Sequence, residues 1–161
     1  MPSLINQTKS LENTWQTISD YNEALPEGNI LVAAQYWLDN QVALCERGNV
    51  SIIISGDTDL DALGAHLNKF EVIAVSFPAF ADGRGYSQAR LLKERYNYQG
   101  EIRAIGDVLL DQLHFMKRCG FDTFDLKDGL EAEKALQFFD TFSDPYQLAY
   151  DVKTPLFRRK A

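Results

Sequence analysis

Val50-Ser51-Ile52-Ile53-Ile54 and Val72-Ile73-Ala74-Val75-Ser76-Phe77 are the runs that decide the fold, together with the residues between them: Asp57, Thr58 and Asp59 ahead of Leu60, Leu63 and Leu67. Both runs are short, apolar and rich in β-branched side chains, which suit a pleated, packed surface. Neither alternates cleanly between apolar and polar, the pattern of strands covered on both faces. The intervening leucines recur at helical spacing, behind residues whose side chains cap helix N-termini. Strand, helix and strand in so compact a stretch predict a parallel crossover unit.

The pattern continues in both directions. Ile30-Leu31-Val32-Ala33-Ala34 follows the Gly28-Asn29 turn as another buried strand, and Leu38, Val42 and Cys45 form the stripe of a helix ending at Gly48. Past Pro78, Ala89, Leu92 and Tyr96 mark a helix with Arg90, Lys93, Glu94 and Arg95 on its outer face. Ile102-Arg103-Ala104-Ile105 is a fourth strand, and Leu109, Leu113 and Met116 mark a helix closed by Gly120 as its C-terminal cap. Thr123-Phe124-Asp125-Leu126 is a short fifth strand, before a last helix over 130–142. About five strands, each followed by a helix, predict an α/β domain with a parallel sheet. An open three-layer sheet is the first expectation; an incomplete (β/α) barrel is the alternative, since five units are too few to close eight. Residues 1–28 read as an N-terminal arm packed on the body, with a short strand near 15–18. Residues 29–145 form the α/β domain, and 146–161 a C-terminal tail with an edge strand at 147–150.

Composition narrows the function classes. A formal net charge of −7 opposes a nucleic-acid partner, which demands dense Lys and Arg to replace counterions. The basic run Arg158-Arg159-Lys160 reads as a solvated tail. Cys45 and Cys119 are too far apart for a Cys-x-x-Cys redox centre and too few for an iron–sulfur cluster, and they read as reduced, buried thiols of a cytoplasmic protein. No apolar run approaches the roughly 20 residues that span a bilayer, so no membrane association is expected. His66 and His114 fall on different helices, away from strand ends, and no metal site is expected.

In open α/β sheets and (β/α) barrels alike, ligands bind at the carboxyl ends of the strands. The loop after the third strand carries Asp82-Gly83-Arg84-Gly85-Tyr86-Ser87 and leads straight into a helix. Two glycines let the backbone bend sharply, a helix start favours an anion, Arg84 adds a planar cation and Ser87 a hydroxyl. Asp82 either orients Arg84 or binds a ligand hydroxyl. The competing reading is a braced turn, with Asp82 or Ser87 as a helix cap. Asp107, just beyond the fourth strand, reads first as a cap and second as a general base. Neither Gly-x-Gly-x-x-Gly nor a phosphate-loop lysine is present, so no nucleotide cofactor is indicated. Arg103 inside the fourth strand, with Glu101 at its start, points either to solvent or into a buried ion pair. Cys119 reads as packing.

Phe77-Pro-x-Phe80-x-Asp82-Gly-Arg-Gly-Tyr-Ser87-x-Ala-Arg90, Gly106-Asp107-Val-Leu-x-Asp111-Gln112 and Arg118-Cys-Gly-Phe-Asp122 together resemble the bacterial family catalogued as domain of unknown function 934, over about residues 15–126. Members are described as oxidoreductases involved in sulfite reduction, through association with assimilatory sulfite reductase. The resemblance implies a role in sulfur assimilation and cysteine biosynthesis, with the sulfite reductase hemoprotein as a partner. It assigns no catalytic residues. A sulfite reductase moves six electrons through siroheme and an iron–sulfur cluster, and this chain lacks the thiolates for that cluster. The expectation is therefore an accessory protein that binds the reductase or a small anionic ligand at the strand carboxyl edge. The alternative is a free-standing enzyme acting on a phosphorylated or carboxylated small molecule, with Arg84 holding the anion and Asp107 or Asp82 moving a proton. An exposed sheet edge would invite a homodimer.

Overall fold

A computed structural model describes residues 4–78 and 83–140. Its centre is one seven-stranded sheet: β1 (Leu4–Ile5), β2 (Trp15–Thr17), β3 (Asn29–Ala33), β4 (Val50–Ile54), β5 (Val72–Phe77), β6 (Glu101–Gly106) and β7 (Thr123–Asp125). The spatial order is β1-β7-β6-β5-β4-β3-β2. β2 to β7 pair in parallel, each with its sequence neighbour, and β1 lies antiparallel on β7. The helices are α1 (Ala34–Asp39), α2 (Gln41–Arg47), α3 (Leu60–Leu63), α4 (Arg84–Glu94), α5 (Leu113–Cys119) and α6 (Ala132–Gln137), with 3-10 turns at Gly64–Lys69, Leu110–Gln112 and Phe138–Asp140.

This order answers the layout question in favour of the incomplete barrel. A three-layer sheet reverses its strand order to place helices on both faces, whereas here β2 to β7 run in sequential order and only the short β1 is added out of sequence, on β7. The buried helix residues, among them Trp37, Leu63, Leu92 and Met116, share one cluster with Ile52, Ile73, Val75 and Ile102. The alternate positions Leu31, Val72 and Ala74 form a second cluster with Trp15, and no helix residue belongs to it. Helices cover the convex face; the concave face is lined by strands.

The arm supplies both outer strands and shows how far the sheet curls. Seven strands at about 4.8 Å spacing span roughly 29 Å when laid flat. The Leu11 amide bonds the Leu4 carbonyl at 2.7 Å beside β1, yet Trp15 already lies in β2 at the opposite edge. Four residues reach at most about 14 Å, so the edges are drawn together into a half-barrel. Residues 12–14 cross the concave face as a strap. Asn13 Oδ1 accepts from the Trp15 amide and from Arg103 Nη1, each at 3.0 Å. Arg103, only 3% exposed, also bonds Glu101 through Nε at 3.1 Å and Nη2 at 3.0 Å. Of the two orientations open to it in the sequence, Arg103 therefore takes the buried ion pair. Strap, Trp15 and this pair close the concave side towards the strand starts, and the carboxyl end stays open.

Several local expectations change. The helix predicted through Leu38, Val42 and Cys45 breaks at Asn40, whose Nδ2 bonds the Tyr36 carbonyl at 2.9 Å. The break turns Val42 to 75% exposure. Cys45 is exposed rather than buried, whereas Cys119 is buried as expected. The last helix gives way to a 3-10 turn at Phe138, and Phe142, the tail and its edge strand at 147–150 lie outside the described residues. Gly120 does close α5, in the left-handed conformation at φ 111°. Among the described residues, no helix is long and apolar enough to cross a membrane. The two thiols should separate in a thiol–disulfide exchange assay: one equivalent reacts fast in native protein, and the second only on unfolding. Two fast equivalents would contradict the burial of Cys119.

Candidate functional site

A cleft of about 520 Å³ opens at the carboxyl ends of β3, β4 and β5. Its floor is apolar apart from one hydroxyl: Ala33, Ile53 and Ser76 come from three adjacent strands, with Ala33 directly opposite Ile53 in the register. Its rim is the loop between β4 and α3, which contributes Ser55, Asp57, Thr58 and Asp59.

Local chemistry builds that rim. Thr58 Oγ1 accepts the Ser55 amide at 2.9 Å, and the Thr58 amide bonds the Ser55 carbonyl at 3.2 Å. Asp59 caps α3 by accepting the Asp61 amide at 3.0 Å, as its sequence position suggests. The loop is then gripped from α4. Gln88, 5% exposed, donates through Nε2 to the Ser55 and Thr58 carbonyls at 2.9 and 2.8 Å. Arg84, one turn earlier on the same helix face, pairs with Asp57. Gly56 makes the approach possible: a Cβ there would meet Arg84 Cβ at 2.5 Å.

The residues singled out in the sequence distribute as follows. Asp82 lies outside the described residues. Gly83 precedes α4 and donates no side-chain cap, and Arg84 opens the helix. Gly85 is buried against the Phe77 ring, which a Cβ would meet at 2.5 Å, so this glycine serves helix packing on β5. Ser87 is exposed on α4. Asp107 does not adjoin a helix start, since the following 3-10 turn begins at Leu110 with Leu109 as its N-cap. Its carboxylate pairs with Lys127 at 2.7 Å, and its amide bonds the Phe77 carbonyl at 2.7 Å. Arg84 and Asp107 thus follow neighbouring strands at one edge of the sheet, but the cleft is centred over β3 and β4 and reaches Arg84 through Asp57.

Sequence reasoning passed over the rim. Ser55, Asp57 and Thr58 have the composition of a helix start and were legible as that alone. Gln88 sits one turn beyond Arg84 without a motif to mark it. Tyr86 packs on Phe77 and Phe115 at ring separations of 5.2 and 4.9 Å. Burial, with Cys119 and Asp111 adding to it, pushes its hydroxyl up to about 12. At neutral pH that phenol is a hydrogen-bond donor and not a base.

A curled, mostly parallel sheet with β2 to β7 in sequential order and a cleft over its strand ends defines an α/β half-barrel protein. The chain belongs to the family of bacterial proteins of unknown function designated DUF934, whose model matches residues 51–157. That match starts in β4, later than the resemblance read from the motifs, and continues through most of the C-terminal tail. No curated protein and no solved structure matches the chain significantly.

Proposed function

We propose that this protein is an accessory component of assimilatory sulfite reduction which binds a small anion in the strand-end cleft, with Arg84 as the cation that holds it. The observation that carries this reading is the Arg84–Asp57 pair at the cleft rim, whose side chains are 59% and 76% exposed. A pair so exposed is worth about 0–1 kcal/mol, because water and salt screen it and both chains lose rotamer freedom. An oxyanion that takes two guanidinium N–H groups at once gains geometry that a displaced surface pair does not forfeit. Asp57 is then a resident counter-ion which a ligand displaces, and Ser55 and Thr58 add hydroxyls beside it.

The rim carboxylates oppose an anion, and this sets the sign of the tests. Removing Asp57 relieves the competition; removing Arg84 removes the anchor. The role in sulfite reduction rests on the motif resemblance, and the anion-binding half on the exposed Arg84–Asp57 pair beside the cleft. A thermal-shift series with sulfite, sulfate, phosphate and carboxylates should raise Tm for oxyanions in wild-type protein and leave Arg84→Ala unmoved. Tagged wild-type protein should also retain the sulfite reductase hemoprotein. If Arg84→Ala responds like wild type and the hemoprotein passes through unretained, the reading is wrong.

A further inference from the structure

We propose that Gln88 is the positioning residue of the cleft: it sets the place of the rim loop, and with it the terms on which Arg84 is shared between Asp57 and a ligand. The inference rests on the anion-site reading for its functional half and on geometry alone for its structural half.

Gln88 is one of the few polar side chains buried among the described residues, and its amide nitrogen donates to two backbone carbonyls some thirty residues away, those of Ser55 and Thr58. These residues flank Asp57, so the two bonds fix the segment that carries the counter-ion. A buried carboxamide without partners would be costly, and so would the carbonyls left behind by its removal. The arrangement is therefore held from both sides. Arg84 lies four residues earlier on the same helix face, and Gly56 gives it room to lie flat against the loop. Three contacts from one face of α4 thus hold one short loop: the Arg84–Asp57 pair at the rim and two Gln88 bonds beneath it. The rim pair is weak and exposed, and exchanges with a ligand. The bonds beneath are made by a buried side chain to backbone carbonyls and do not, so the loop keeps its shape when Asp57 is displaced. Ser55 and Thr58, whose hydroxyls face each other at 3.4 Å, keep their places in the cleft wall while the ion partner changes.

Gln88→Met keeps the volume and removes both donors. Hydrogen exchange followed by mass spectrometry should show the amides of residues 55–59 exchanging at least tenfold faster in Gln88→Met than in wild type, with the amides of β5 unchanged. Affinity for sulfate, measured in the Asp57→Asn background where the competing carboxylate is gone, should fall about tenfold when Gln88→Met is added. Gln88→Asn, which keeps the amide but is too short to span both carbonyls, should reproduce both effects; it serves if the methionine variant folds poorly. Unchanged exchange at residues 55–59 in both variants would overturn the positioning role. Faster exchange with sulfate affinity unchanged within twofold would overturn the functional half. If Asp57→Asn protein binds no oxyanion at all, the anion-site reading fails, and the exchange result alone still decides whether Gln88 holds the loop.

Discussion

Gly106→Ala is expected to be the most damaging small substitution in the chain, lowering stability by about 3 kcal/mol. Gly106 ends β6 at φ 90°, a conformation that costs a residue with a Cβ about 1–2 kcal/mol. The new methyl would also lie 2.5 Å from the Phe77 carbonyl oxygen, which is backbone and cannot rotate away. That oxygen accepts the Asp107 amide, so relief of the clash has to pull apart the last rung between β5 and β6 and the turn that follows. For a chain of this length the loss corresponds to a drop in Tm of roughly 6–12 °C. Urea denaturation measures it directly. A loss below about 1 kcal/mol would mean that the turn relaxes around the methyl and that β6 does not end as described.

Arg103→Ala should come next in magnitude, at about 3 kcal/mol, the lower part of the range for breaking a buried pair because Glu101 keeps some contact with water. The Arg103 side chain is 4% exposed and that of Glu101 is 29% exposed. Truncation leaves the Glu101 carboxylate with the Thr123 hydroxyl and without its cation, and removes the bond from β6 to Asn13. The strap then loses its anchor to the centre of the concave face. Replacing both charges at once, as Arg103→Met with Glu101→Gln, should cost less than Arg103→Ala alone, because no uncompensated charge remains. A double variant that instead loses the sum of the two single changes would show that the pair is not coupled and that the strap is held by other means.

The fold was largely legible wherever its cause is local. β4 and β5 fall where the β-branched runs fall, with Gly48 and Pro78 as punctuation. The α5 stop at Gly120 follows from one residue free to adopt positive φ. β1 was missed because two residues, Leu4 and Ile5, carry no period; their strand exists only because β7 offers an edge. Strand order is a property of crossovers and packing that no single run encodes, so half-barrel and open sheet stayed open until the helix residues fell into one cluster. The site was half legible. That ligand chemistry belongs at strand ends follows from topology, and Arg84 lies at such an end. The partner of Arg84 was not legible, because Asp57 is 27 residues away and presents itself in sequence as a helix cap. Local readings of Asp, Ser and Thr default to capping, since capping is the commonest use of those side chains. Asp59 obeys that default and Asp57 does not.

Isothermal titration of sulfite into wild type, Asp57→Asn and Arg84→Ala tests most directly whether the cleft is an anion site with its own displaceable counter-ion. The predicted order is Asp57→Asn tightest, by about threefold over wild type, with Arg84→Ala showing no measurable heat; each 1.4 kcal/mol of lost competition would be worth a factor of ten, and an exposed pair supplies about half of that. Weaker binding in Asp57→Asn than in wild type would make the carboxylate a ligand contact instead of a competitor. Binding undiminished in Arg84→Ala would place the anion elsewhere, and either result would contradict the account.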